Sequence, residues 1–270
     1  MIIVNYTGGL GNTLFQYSMG RILAEEMKYE LFADSIQGFE GTKDNITGAV
    51  TRNDPLQLTN QHIDLDTIIK TDRQITLGPF GFFQRYEYYK PYKNRIRQWL
   101  HTDHRDVGQT ENDMVIHLRL GDCILGDLAE DPYVMPPAYF QKALDSTTFD
   151  KLYICSDPET LEHPLFHHYM EIFSPHQPIL IGGNTIEDFN AIKSFNKIIM
   201  SQSTFSWFAA LLSNASEIFV PVPSGGKHGN EWSIESPGVA LFVDDEDRYQ
   251  YIKQYGDEWQ LVNLQDIEER

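Results

Sequence analysis

The chain has 270 residues, 41% of them apolar and 22% charged, and carries a formal net charge of −18. That composition belongs to a globular protein with a substantial core, long enough for one large or two medium domains. A surface so acidic repels nucleic acid and anionic membranes, so neither is expected as a partner, and any anionic ligand needs a local cationic pocket.

In chain order, residues 2–5 read as a buried strand, and "GGLGN" follows with Gly8, Gly9 and Gly11 inside four positions. Strand, glycine loop and helix prepare a backbone to hold a phosphate, yet the spacing is neither G-x-G-x-x-G nor G-x-x-x-x-G-K-[ST]. The periodicity predicts a helix over 12–29, with Phe15, Met19, Ile22, Leu23 and Met27 on one face and Glu25 and Glu26 opposite. Residues 36–60 are rich in Gly, Asp, Asn and Thr and read as a long loop region. In "GFFQRYEYYKPYKNRIRQWL" (81–100) an aromatic cluster leads into a helical run, with Ile96 and Leu100 on one face and Pro91 at its first turn. The uniformly polar "HTDHRDVGQTEND" (101–113) is the candidate linker, giving an N-terminal domain over 1–105 and a C-terminal domain over 106–270.

A second series follows. "MVIHLRL" (114–120), "KLYICSD" (151–157) and "PILIGG" (178–183) are strand patterns that end in polar residues or glycine. "TIEDFNAIKSFN" reads as an amphipathic helix with Thr185 as N-cap and Asp188 at the capping-box position. "KIIMSQ" is a strand, "STFSWFAALLS" a turn into a helix, and "EIFVPV" a last strand; the acidic tail "YGDEWQLVNLQDIEER" reads as surface structure or a closing helix. Alternating strands and helices imply parallel sheets with crossover helices. The expected class is α/β, with two Rossmann-like domains whose parallel sheets face a cleft.

Ligands of open α/β sheets bind beyond the carboxyl ends of the strands. The polar groups there are Asn5 with the glycine loop; His117, Arg119 and Asp122; Ser156 and Asp157; and Ser201, Ser203, Thr204 and Ser206. In "VIHLRLGD", alternation sets Ile116 and Leu118 on one face and His117 and Arg119 on the other. A buried strand rarely accepts an imidazole and a guanidinium without partners. Two readings stand open: a structural Arg119–Asp122 pair, or an arginine holding a phosphate through its planar fork. "SQSTFSW" likewise supports either simple N-capping by Ser203 or Thr204, or anion binding at a helix N-terminus. No G-x-S-x-G elbow, HExxH, paired CxxC or DxD string occurs, and adjacent His167 and His168 cannot share a helix face as metal ligands.

Five stretches in order carry a resemblance: "GGLGNTLFQYSMGRILAEE", "GFFQRYEYY", "VIHLRLGD", "YICSDPE" and "DFNAIKSFNKIIMSQSTFSWFAALL". Together the chain resembles the α-1,2-fucosyltransferase family of inverting glycosyltransferases, over residues 2 to about 220. The resemblance implies a GT-B fold, with GDP-fucose bound mainly by the C-terminal domain. It implies that Arg119 holds the donor diphosphate, that His117 stands beside guanine or ribose, and that Asp157 joins the donor-binding set. Asp188 would read guanine through the N1 and N2 hydrogens. Ser203, Thr204 and the N–H groups that follow, Phe205 included, would wrap the β-phosphate and fucose. In the N-terminal domain, Gly9, Gly11 and Asn12 would approach the diphosphate and fucose. Leu120 stands where the family has a second arginine, and Thr13 where it has glutamine.

The implied reaction moves L-fucose from GDP-fucose to a hydroxyl, O2 of a terminal galactoside in a glycan acceptor, with inversion. Arg119, Asn12 and His117 would be its catalytic residues. Asp127, Glu130 and Asp131 are candidates for a base by position, although departure of the leaving group well ahead of attack needs none. No cofactor or metal is implied beyond the donor. The alternatives are a fucosyltransferase of another linkage and a non-catalytic nucleotide- or sugar-binding protein on the same fold. Only Cys123 and Cys155 occur, which fits a reducing compartment. No apolar run approaches the ~18 residues of a membrane span, and the first residues lack a signal-peptide pattern, so a cytoplasmic location is expected.

Overall fold

The computed structural model describes residues 1–42, 55–59, 63–79, 81–125, 134–222 and 246–263. Among them the chain divides into two compact units, Met1–Asp103 and the residues from His104 onward. Each is built on a largely parallel sheet, the α/β class expected from the alternation of elements.

In the first unit the elements are β1 (Ile2–Val4), α1 (Leu10–Met27), β2 (Leu31–Phe32), β3 (Leu56–Leu58), α2 (Leu65–Ile69), β4 (Ile75–Leu77), α3 (Tyr86–Tyr89) and α4 (Lys93–Trp99). The strands lie in the order β2-β1-β4-β3, all parallel. β3 corrects the expectation of an unbroken loop over 36–60: Leu56–Leu58 pairs with Ile75–Leu77 at the sheet edge. Its three residues are too few for alternation to show in the sequence. Ile96 and Leu100 are both wholly buried, as their spacing requires. Pro91 opens a separate 3₁₀ turn, Lys90–Tyr92, just before α4.

α1 is buried over most of its circumference, with Leu14, Tyr17, Met19, Ile22 and Leu23 at 0% exposure. It lies close on β1 because of Gly20, where an added Cβ would stand 2.3 Å from Val4 Cγ2. Gly20→Ala gains about 1 kcal/mol of helix propensity. Forcing a methyl into that contact costs about 1–3 kcal/mol, and at this separation the clash should win. Urea denaturation should show Gly20→Ala less stable than the parent. In a Val4→Ala background the same change should become neutral or stabilising. A penalty that persists there would place the clash elsewhere.

The second unit comprises β5 (Met114–Leu118), α5 (Gly121–Ile124), α6 (Pro137–Asp145), β6 (Leu152–Ser156), α7 (Pro164–Phe173), β7 (Ile179–Ile181), α8 (Thr185–Lys193), β8 (Lys197–Ile199), α9 (Thr204–Leu212), β9 (Glu217–Val222), β10 (Tyr249–Tyr255) and β11 (Glu258–Val262). The sheet order is β11-β10-β9-β8-β5-β6-β7. Counted within the unit, its parallel strands run 3-2-1-4-5-6, the Rossmann order. Met114, Ile116, Leu118 and Leu120 all enter one buried cluster with Tyr139, Phe140 and Ile154. The tail corrects the closing-helix alternative. Tyr255 pairs with Glu258 across Gly256–Asp257, and β11 returns antiparallel along β10. Gly256 has φ +59, as the first position of a two-residue hairpin turn demands. No helix among the described residues is long and apolar enough to cross a membrane.

Candidate functional site

In a sheet of this order the chain leaves β5 toward β6 on one side, while β8 lies on the other. The crevice between those departures, beyond the carboxyl ends of β5 and β8, is the topological switch point. The polar stretches after "VIHL" and "KII" meet there. Ser201 joins them: its hydroxyl donates to the His117 carbonyl and accepts from Arg119 N–H at 3.2 Å. On the other flank Ser156 Oγ donates to the Leu118 carbonyl at 2.7 Å. The end of β5 is therefore fixed from both neighbouring strands.

Arg119 is held by a fork. Nε donates to Asp122 Oδ1 at 2.9 Å and Nη2 to Asp122 Oδ2 at 2.5 Å, while Nη1 donates to the Gln202 carbonyl at 2.7 Å. Burial opposes the arginine's charge more than any single contact favours it, but the bonds to Asp122 together with the negative charge of Asp122 and Asp157 and the Cys123 thiol raise its pKa further. Burial also pushes the Asp122 carboxyl up, and again the bonds and charge of Arg119 win, holding it below the usual carboxylate range. A guanidinium has five N–H donors. Three are engaged among the described residues, so one on Nη1 and one on Nη2 remain there. The two readings of Arg119 thus coexist in one geometry: Asp122 and Gln202 orient the side chain and still leave it a pair of donors.

His117 is 8% exposed, and its Nδ1 is buried with no hydrogen-bond partner among the described residues. Its ring lies 5.3 Å from that of Phe205, which packs in turn on Phe189. Burial lowers its pKa to about 4, against the opposing pull of Asp157. The imidazole is therefore neutral at physiological pH, able to donate or accept one hydrogen bond but not to supply charge. Asp157 Oδ2 accepts the N–H groups of Leu120 and Gly121 at 3.2 and 2.8 Å, so it caps the short helix α5. Ser203 caps α9, accepting from Phe205 N–H at 3.2 Å, and Thr204 is that helix's first residue.

The start of α8 differs from expectation. Asn184, not Thr185, is the N-cap, and Glu187, not Asp188, completes the capping box. Asn184 has an extended backbone and a short amide that reaches Ile186 and Glu187 N–H, each at 3.1 Å. That shift by one residue releases Asp188 from capping. Its carboxyl faces Arg105 instead, with Oδ1 3.7 Å from Nη1. Burial pushes the Asp188 pKa up to about 6, partly offset by Arg105 and by the Gly183 N–H. Arg105 had no signal of its own in the sequence, because it lies in a uniformly polar run with no strand before it.

In the first unit, Gly8 has φ +81, and a Cβ there would stand 2.5 Å from Asn12 Nδ2. Gly9 is exposed, and a Cβ on it would meet nothing within 4 Å; Gly11 is buried in α1. Of these three loop glycines, Gly8 is therefore the one that local geometry demands. Asn12 Oδ1 accepts from Gln84 Nε2 at 2.7 Å, which fixes its amide against the loop. Gln84 belongs to "GFFQRYEYY", where nothing local distinguishes it from its neighbours. The base candidates Asp127, Glu130 and Asp131 lie outside the described residues.

No protein-family profile and no curated protein matches the sequence. Among solved structures, the chain is similar to POFUT1 in complex with GDP-fucose, at a TM-score of 0.45 and 10% identity, covering 79% of this chain and 94% of that one. It is also similar to NodZ α-1,6-fucosyltransferase soaked with GDP-fucose, at a TM-score of 0.38 and 11% identity, covering 80% of this chain and 93% of that one. Scores below 0.5 leave the functional reading to the residues themselves.

Proposed function

We propose that the protein transfers L-fucose from GDP-fucose to a hydroxyl, O2 of a terminal galactoside, with inversion and without a metal ion. The observation that supports this most is the pair of donors left on Arg119 at the switch point of a Rossmann-order sheet, beside the N-terminus of α9. Such a crevice suits a nucleoside diphosphate. The family resemblance of the same stretches supplies the sugar. In this reading the acceptor oxygen displaces GDP directly at fucose C1. Positive charge builds on the ring and negative charge on the leaving diphosphate. Arg119 and the N–H groups of α9 stabilise that negative charge as it grows. His117, being neutral, contributes a hydrogen bond, and Asp188 accepts from guanine.

Calorimetry with GDP, UDP and CMP, each with excess chelator, tests the donor. The expected order puts GDP first, with no effect of chelator; tighter UDP binding would sink the reading. Transfer of labelled fucose to a galactoside panel separates an enzyme from a binding protein. Acid dependence tests Asp188. Guanine N–H groups need an ionised acceptor, so affinity should fall as pH falls through about 6, where Asp188 takes up its proton. From pH 7 to 5 the ionised fraction, and with it the affinity, drops about tenfold. His117, at about 4, stays neutral across this window. GDP-fucose is the ligand to use, because its diphosphate lacks the second ionisation, near pH 6, of a terminal phosphate. A flat profile would remove Asp188 from base recognition.

A further inference from the structure

Arg105 is tied to both ends of α8. Its backbone N–H donates to Ser194 Oγ at 3.1 Å, just past the helix, and its Nη2 donates to the Gly182 carbonyl at 3.2 Å, just before it. Its Nη1 points at Asp188 Oδ1 across 3.7 Å. That is close enough for full Coulomb attraction and too long for a hydrogen bond. Both atoms are buried, and neither has a hydrogen-bond partner among the described residues. Gly183 keeps the space open, since a Cβ there would stand 2.6 Å from Nη1. A buried cation and a buried anion aimed at each other this way are not a stabilising device, because desolvation offsets most of the attraction. What the contact does achieve is to fix one carboxylate oxygen and the charge state of the whole group.

We infer that Arg105 is the positioning residue for base recognition: its guanidinium holds the Asp188 carboxylate charged and oriented, so that the group can accept from the nucleobase. The inference rests on the reading of Asp188 as the guanine acceptor. The groups facing Asp188 are Arg105, Asp157, Cys155, Glu187 and the Gly183 N–H. Asp157 and Glu187 oppose its ionisation, and burial opposes it more. Arg105 is the only cation among these neighbours, so its removal leaves nothing of opposite sign to hold the carboxylate charged.

The test reads Asp188 itself, by carboxyl-carbon NMR titration of the full-length, nucleotide-free protein, with Asp188→Asn to assign the signal. Arg105→Gln should raise the Asp188 midpoint by roughly one pH unit or more, the usual effect of an opposite charge at this range. Arg105→Lys should keep it near the parent value. The pH at which GDP-fucose affinity is half lost should move upward with it in Arg105→Gln and return in Arg105→Lys. A merely structural arginine would lower the melting temperature and leave both midpoints where they were, which would overturn the inference. Should Arg105→Gln not fold, Gly183→Ala is made in a Glu187→Ala background, because its methyl would otherwise meet Glu187 Oε2 at 2.3 Å before Nη1 at 2.6 Å; an Asp188 midpoint unmoved from that background overturns the inference equally. Failure of the underlying reading looks different: the parent protein then shows no guanine preference at any pH, however Asp188 titrates.

Discussion

Replacing Arg119 by lysine should lower kcat for fucose transfer by about 10²–10³, the usual effect of losing one preorganised donor at a developing anion. The fork explains why charge alone does not suffice. Arginine satisfies Asp122 through Nε and Nη2 and the Gln202 carbonyl through Nη1, and still has two N–H groups to offer. A lysine has three donors around one nitrogen. It cannot reach both existing partners and a diphosphate from one position, so it either leaves the ligand or leaves Asp122. Folding should survive the exchange. Asp122 is 55% exposed, and an ion pair with one partner so open contributes at most about 1 kcal/mol. In a chain of this size that corresponds to a melting temperature lower by roughly 2–4 °C. KM for GDP-fucose should rise less than kcat falls, because charge on the diphosphate grows toward the transition state. Melting temperature and kcat measured on one preparation decide the matter. A variant that melts far earlier yet keeps full turnover per folded molecule would return Arg119 to a purely structural role.

The parts of this site that were legible in the sequence are those that local pattern determines. Apolar runs ending in polar residues located the ends of β5, β6 and β8, and period-two alternation put His117 and Arg119 on the face opposite Ile116 and Leu118. Partners set by tertiary approach were not legible. Arg105 reaches Asp188 only because Ser194 and Gly182 draw it along α8, residues nearly 80 or more positions away in the chain. Gln84 meets Asn12 across 72 positions. At the start of α8 two good caps stand side by side, Asn184 and Thr185, which differ only in which residue's backbone turns helical first. The β10–β11 hairpin is not legible in the sequence because helical and strand patterns compete in a short polar segment whose inward side chain, Trp259, is a single residue 6% exposed. For Arg105 and Gln84 the deciding contact lay outside any window of neighbouring residues.

Leu120→Arg should destabilise the protein by about 3–5 kcal/mol, the order expected for a buried charge left without a partner. The substitution would restore the second arginine of the family that the chain resembles, so the naive expectation is a gain in donor binding. The fold argues otherwise. Leu120 has 0% exposure and packs in the cluster of Met114, Ile116, Leu118 and Tyr139 beneath the sheet. Its backbone is pinned as well, since its N–H donates to Asp157 Oδ2 at 3.2 Å and the next residue's N–H binds the same oxygen. Turning the side chain toward the crevice would break that cap and expose the apolar hole it left. Leu120→Met keeps the volume and adds no charge, so it should cost less than about 1.5 kcal/mol and leave transfer unchanged. Urea midpoints for the two variants, together with GDP-fucose affinity of whatever folds, give the comparison. A Leu120→Arg protein that unfolds at the parent's urea concentration and binds GDP-fucose more tightly would show that residue 120 can face the ligand. The expected loss of stability would instead show that, with residue 120 committed to the core, Arg119 is the guanidinium this strand end offers to the diphosphate.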